Sequence, residues 1–295
     1  MLASKLQVPF PPDPNPRKPH FKLPPGTCDT HFHTFGPPER FPYVDSRLYT
    51  PPAAPIEHWL GMARTVGIER GVLVVPAVHG FDNRPMHDAL AKAEGRLKGM
   101  ISANPDLSEA DNKALHAQGV RGIRFNYVGK LGGTFDQDEM LKICARVASL
   151  PWAVDFHIEP HLIEQHAELL RRIANPVIID HFGLVTPSQG VDQPSFRVLL
   201  DLVALPHIHV KISGADRQLY AGEKYEHIGA LGRALTARAP DRIIWGTDWP
   251  HAYVYEPGRM VNDGELVSWL ADFVPDAAVR HKVLVDNPAR LFGFA

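Results

Sequence analysis

Eight short runs of apolar, β-favouring residues alternate along this chain with segments whose apolar residues recur every three and four positions. The runs span 26–33, 70–76, 97–103, 120–125, 152–158, 175–181, 207–213 and 242–248. The helical patterns span 55–67, 84–95, 108–119, 136–149, 161–174, 195–204, 225–238 and 263–273, followed by 276–286 and 287–293. A strand that reads as a near-continuous Val/Ile run is buried on both faces, as parallel strands are. Eight strand–helix repeats in one chain predict the α/β class and a (β/α)8 TIM barrel. The runner-up, a doubly wound open sheet, calls for a glycine-rich turn after its first strand. The sequence there is CDTHFHTFG, which is not G-x-G-x-x-G.

No linker divides 26–295, so a single barrel domain is expected there. Residues 1–25 differ in kind. Prolines 9, 11, 12, 14, 16, 19, 24 and 25 exclude helix and ladder pairing and predict an extended N-terminal arm. That arm leaves open a homo-oligomer in which it wraps a neighbour. A formal net charge of −2 argues against nucleic acid as a partner, because no basic excess exists to neutralise phosphates. No apolar run is long enough to span a membrane, and the N-terminus lacks an apolar signal core. Cys28 and Cys144 have no C-x-x-C partner and read as free thiols of a reducing compartment. A soluble cytoplasmic protein is the expectation.

In a parallel barrel, chemistry gathers at the C-terminal ends of the strands. Strand 1 ends in His31 and His33, two residues apart and therefore on one face. Strand 4 ends at Arg124, followed by Asn126, Tyr127 and Lys130. Strand 5 ends near His157 and Glu159, and strand 6 in Asp180-His181. Strand 7 leads through Lys211 and Ser213 to Asp216 and Arg217. Strand 8 ends in Gly246-Thr247-Asp248-Trp249-Pro250-His251. A guanidinium inside an apolar strand needs an anion, so Arg124 requires a ligand carboxylate or an internal aspartate. A carboxylate after RIIWGT is desolvated unless it meets a metal or a protonated group, which marks Asp248. Asp180 reads as a polar cap before the next helix. His58, His87, His116, His166 and His227 fall on helical patterns and read as solvent-facing.

The ordered set, H-x-H after strand 1, histidines at strands 5 and 6 and an aspartate after strand 8, resembles the amidohydrolase superfamily. The stretches CDTHFHTFGP, GVRGIRFNYV, IIDHFG, WGTDWPH and DNPARLFGF are similar to its 2-pyrone-4,6-dicarboxylate hydrolase and lactonase branch. The resemblance runs over nearly all of 26–295. It implies an enzyme, a hydrolase of carboxylic esters, that opens the ring of a small carboxylated lactone, either 2-pyrone-4,6-dicarboxylate-like or of the sugar-acid or muconate type, with aromatic-compound catabolism the expected setting. By position it implies His31, His33, His181 and Asp248 as catalytic residues, with Asp248 the general base on water. Arg124, Arg217 and Tyr49 match substrate-contacting residues of that branch, and Lys130 stands where the branch carries a second strand-4 arginine. His157 replaces a tyrosine, and Ala77 a hydroxyl residue. With His157 present, His31, His33, His157 and Asp248 would make a first shell for one Zn²⁺ or Mn²⁺, in a branch otherwise held to work without metal. The alternative reading is a metal-dependent decarboxylase of an aromatic or muconate-type acid. Such enzymes share the fold but usually begin with an acidic E-x-H-x-H-like stretch, where this chain has Asp29-Thr30-His31.

Overall fold

The computed structural model describes residues 7–129 and 133–295. All eight β-rich runs are strands: β1 (Cys28–Phe32), β2 (Arg70–Val74), β3 (Leu97–Ser102), β4 (Val120–Tyr127), β5 (Ala153–Ile158), β6 (Val177–Ile179), β7 (Ile208–Ile212) and β8 (Ile243–Trp245). They pair in parallel in the order β1 to β8. The sheet closes at a seam between β1 and the residues after β8. There the Asp248 N–H donates to the His31 carbonyl at 2.8 Å and the His33 N–H to the Trp249 carbonyl at 2.8 Å. The seam depends on Gly246, since a Cβ at that position would lie 2.6 Å from the His31 Cβ.

Two layers fill the barrel. Cys28, Val72, Val74, Met100, Ala153, Ile178 and Ile244 form a closed apolar layer at the N-terminal end, plugged by Leu291 and Phe292 of the last helix, Asn287–Phe292. Above it the inward positions turn polar. The change of parity on β1 has a visible cause. Asp29 pairs with Gly71 but Phe32 with Leu73, so one extra residue is accommodated between them. Cys28 can therefore face the apolar layer while His31 and His33 both reach the mouth. Burial pushes the Cys28 thiol up, and both cysteines are free, as their spacing predicts.

The surrounding helices pack apolar stripes onto the strands. In helix Ile56–Val66 the buried residues are Ile56, Trp59, Met62, Ala63 and Val66, and Gly67 ends it in the left-handed conformation. The pattern over 161–174 resolves into Pro160–Gln165 and Ala167–Arg171, and that over 263–273 into Asp263–Ser268 and Leu270–Phe273. A further helix, Ala215–Tyr220, occupies the connection after β7. It starts at Gly214, whose φ of +70° suits glycine and where a Cβ would come within 3.0 Å of the His181 ring.

The described part of the arm, from residue 7, has no helix or strand and folds back on its own chain. The Thr50 N–H meets the Gln7 carbonyl at 3.4 Å, and the Phe10 N–H donates to the Val254 carbonyl at 2.7 Å. Farther on, Asn262 donates to Asp13 at 2.8 Å and accepts from the Arg17 N–H at 2.9 Å. The His20 N–H reaches Ser268 at 3.0 Å. No helix among the described residues is long and apolar enough to cross a membrane.

Candidate active site

Asp29 sets the floor of the site. Its carboxylate accepts from the backbone N–H groups of Thr247 (2.9 Å) and His31 (3.1 Å), the Thr247 hydroxyl (2.6 Å) and the Trp59 indole (3.1 Å). Four donors from three elements fix the backbone that carries His31 and Asp248. Asp248 itself has a φ of +61° and His181 one of +50°, conformations non-glycine residues adopt only when the surroundings hold them there.

His31, His33, His181 and Asp248, far apart in sequence, come together at the mouth. Asp248 Oδ1 lies 3.6 Å from His31 Nε2 and 3.6 Å from His33 Nε2. Its other oxygen pairs with the Arg217 guanidinium. Burial pushes this carboxyl up, but the guanidinium and the neighbouring imidazoles outweigh it and hold it well below the usual carboxylate range. Asp248 is therefore ionised at any ordinary pH. His33 Nδ1 lies 2.7 Å from the Val74 carbonyl, which can only accept, so Nδ1 carries a proton and Nε2 is the nitrogen turned to Asp248. His181 Nδ1 meets the Ser213 hydroxyl at 2.8 Å, and its Nε2 has no partner among the described residues. Burial lowers His31 and His157 well below the ordinary histidine value and pushes His181 down to about 4, so these imidazoles stay neutral.

Below this rim lies an ionic layer that the sequence only partly disclosed. Lys211 donates to Asp155 and Asp180, each at 2.7 Å, and reaches His31 Nδ1 at 3.1 Å. Arg124 donates to Asp180 at 2.9 Å and lies 3.9 Å from Asp155. Arg124 thus finds the internal aspartate that its burial demanded. Asp180 is not a helix cap: its side chain makes no cap bond and lies buried between two cations. Burial alone would lower Lys211, but its two carboxylates raise it. Asp155 escaped notice, although it sits two residues before His157 on a strand buried on both faces. A carboxylate at that position faces the barrel axis and needs a cation there.

Arg217 rides on helix Ala215–Tyr220, with its guanidinium 5.2 Å from the centre of the Tyr253 ring. Behind it His251 donates to Asp216 at 3.0 Å and to Asp263 at 3.1 Å. Burial would lower this imidazole, yet the two carboxylates raise it to about 10, so it is protonated and clamps the helix. Tyr49 is buried, its ring 4.8 Å from that of Tyr253. Lys130 lies outside the described residues.

A cavity of about 360 Å³ opens above the mouth. His33, Tyr49, Arg124, His157 and Arg217 line it, together with Arg47, Ser102, Asn126 and Tyr253. Three guanidinium groups and no carboxylate face it among the described residues, so it selects for anions.

The donor set also bears on a metal. The ligand atoms of His31, His33 and Asp248 lie within 4.8 Å of one another, as do those of His31, Asp180 and His181. His157 belongs to neither group, its ring centre being 5.2 Å from that of His181. In the first group the 3.6 Å separations are too long for hydrogen bonds. They match two ligand atoms each about 2.1 Å from one ion, which stand about 3.4–3.6 Å apart. His31 Nε2 and Asp248 Oδ1 are buried without a hydrogen-bond partner among the described residues, so the set fits one divalent ion. The fit requires the His31 proton on Nδ1, which Asp180 Oδ1 faces at 3.3 Å, and the Lys211 ammonium 3.1 Å from the same nitrogen then has to direct its N–H groups to Asp155 and Asp180.

A family model described as amidohydrolase matches residues 28–294. The chain belongs to the amidohydrolase family. Among its amidohydrolase relatives, a 4-sulfomuconolactone hydrolase of Hydrogenophaga intermedia is 43% identical over 274 residues, covering 92% of this chain and 90% of the relative. A 2-pyrone-4,6-dicarboxylate hydrolase of Comamonas testosteroni is 35% identical, with 94% and 93% covered. A crystal structure from Acinetobacter baumannii, described as a probable 2-pyrone-4,6-dicarboxylic acid hydrolase with citric acid bound, superposes with a TM-score of 0.81 at 26% identity. It covers 91% of this chain and all of the other.

Proposed function

We propose that this amidohydrolase opens the ring ester of a small anionic lactone, with Asp248 as general base. One observation carries the reading. A carboxylate held ionised by Arg217 stands 3.6 Å from the imidazoles of His31 and His33, beneath a cavity lined by arginines. The relatives named above act on lactones, which favours ring opening over the decarboxylase alternative.

Arg124 and Arg217 hold a carboxylate of the substrate and orient the ring carbonyl toward the imidazoles. Asp248 accepts a proton from water as the water oxygen attacks that carbonyl. The charge developing on the carbonyl oxygen is met by the Nε2–H of His181, and by the Nε2–H of His31 when no metal occupies that nitrogen. The acyl–oxygen bond then breaks, and Asp248 returns its proton to the departing ring oxygen, leaving a hydroxyl group and a carboxylic acid that gives up its remaining proton to solvent. Tyr49 and Lys130 are assigned to the substrate's other contacts. A carboxylate kept this far below its usual range is a weak base, so activation of the carbonyl must share the work. One Zn²⁺ or Mn²⁺ held by His31, His33 and Asp248 would supply that activation as a Lewis acid; His157 would stand beside it and face the substrate.

The test is a panel of carboxylated and sulfonated lactones, assayed by proton release with and without chelator. Ring-opened acid is expected, and Asp248→Asn should abolish its formation. Release of CO₂ without a ring-opened product would overturn the assignment.

A further inference from the structure

We propose that Arg47 holds a second anionic substituent of the substrate, so that the cavity takes lactone dianions in preference to monoanions; this rests on the lactone reading above. Three arginines line the cavity. Two of them already face carboxylates of the protein, Arg217 on Asp248 and Arg124 on Asp180. Arg47 is different. It comes from the loop between β1 and the first helix, and no carboxylate lies within ion-pair distance of it among the described residues. Its Nε donates to the Thr50 hydroxyl at 3.1 Å and its Nη1 to the Val44 carbonyl at 3.1 Å. Both acceptors are neutral.

A guanidinium carries five N–H donors in a rigid fork. Two are used to fix the group to its own loop. Three remain, in a cavity wall that Arg47 shares with Ser46, and no carboxylate among the described residues compensates the charge. That is the chemistry of a seat for a planar or tetrahedral oxyanion, a carboxylate or a sulfonate. Arg124 and Arg217 serve the reacting end, because they are bonded to the carboxylates beneath it. Arg47, on the outer loop next to half-exposed Leu48, serves the far end. Arg47 thereby assigns the loop over 34–54 a role in choosing substrates by charge.

The experiment compares one lactone carrying a single carboxylate with two relatives bearing an additional carboxylate or an additional sulfonate. In the wild type the dianions should have the higher kcat/KM. In Arg47→Met the ratio of dianion to monoanion kcat/KM should fall about ten- to a hundredfold, mostly through KM. Arg47→Gln should do the same while keeping a polar contact to the loop, and Arg47→Lys should recover part of the ratio. A loop merely loosened by these substitutions lowers both substrates alike and leaves the ratio unmoved. A fall of less than threefold in both Met and Gln variants sinks the proposal. Titration with citrate and with acetate separates this outcome from failure of the lactone reading, because it needs no turnover. Citrate affinity should drop at least tenfold in Arg47→Met and acetate affinity far less. Equal losses overturn the assignment even if no lactone is hydrolysed.

Discussion

Two groups of histidine and aspartate share His31, and they differ in what surrounds them. In the first, His31 Nε2 and Asp248 Oδ1 are buried without a hydrogen-bond partner among the described residues, and His33, which lines the cavity, brings Nε2 to 3.6 Å from that oxygen. His31, Asp180 and His181 meet the same spacing criterion, yet Asp180 is already bonded to Lys211 and Arg124. On the function proposed above, the first is a working surface and the second its frame. Spacing of ligand-type residues alone does not distinguish them; the cations standing among them do. A second positive charge of a metal is disfavoured where an ammonium and a guanidinium already hold the carboxylate.

The largest effect should come from breaking the working surface. Asp248→Asn keeps the size of the side chain and removes the base, so kcat for lactone opening is expected to fall about 10³-fold or more, measured by steady-state kinetics alongside a melting curve that moves little. Breaking the frame should look different. Lys211→Met leaves two buried carboxylates without their ammonium and is expected to cost about 3–5 kcal/mol, read from the denaturant midpoint. If the two variants lost activity and stability in the same proportion, the division into surface and frame would be wrong.

Metal content sharpens the contrast further. Protein reconstituted with Zn²⁺ or Mn²⁺ and freed of excess should retain about one equivalent by elemental analysis. His33→Ala should lose it, whereas His181→Ala should keep it. The reverse result would move the ion to the group around Asp180. The smallest expected effect is an absence of titration. His181 is pushed down to about 4 by burial, and His31 and His157 also lie well below their ordinary value, so all three are neutral above that point. Asp248 is ionised throughout. The part of the kcat/KM profile that belongs to His181 should therefore appear only on acidification toward about 4. An acid limb near the ordinary histidine value that vanished in His181→Ala would contradict this.

The surface was more legible in sequence than the frame. His31, His33, Arg124, His181 and Asp248 end strands, and a strand's apolar run marks its own end, so their convergence follows once the barrel is recognised. Asp180 also ends a strand but was read as a cap, because a lone aspartate before a helix usually is one. Only the partners across the barrel, Lys211 from β7 and Arg124 from β4, reveal its role. Asp155 was hidden inside the run WAVDFHI, where the apolar neighbours dominate the pattern. The helix bearing Arg217 is six residues long, too short to show a period. Arg47 sits in a loop, and what a loop residue faces is decided by tertiary contacts that spacing does not encode.

The docking of the arm carries a consequence for how the molecule is assembled. Arg17 and His20 bond to residues 245 and 248 positions further along the chain. During synthesis these contacts cannot form until Asn262 and Ser268 have left the ribosome. The same holds for the bond between Phe10 and Val254. The arm is thus made before the partners it docks on and can settle only after them.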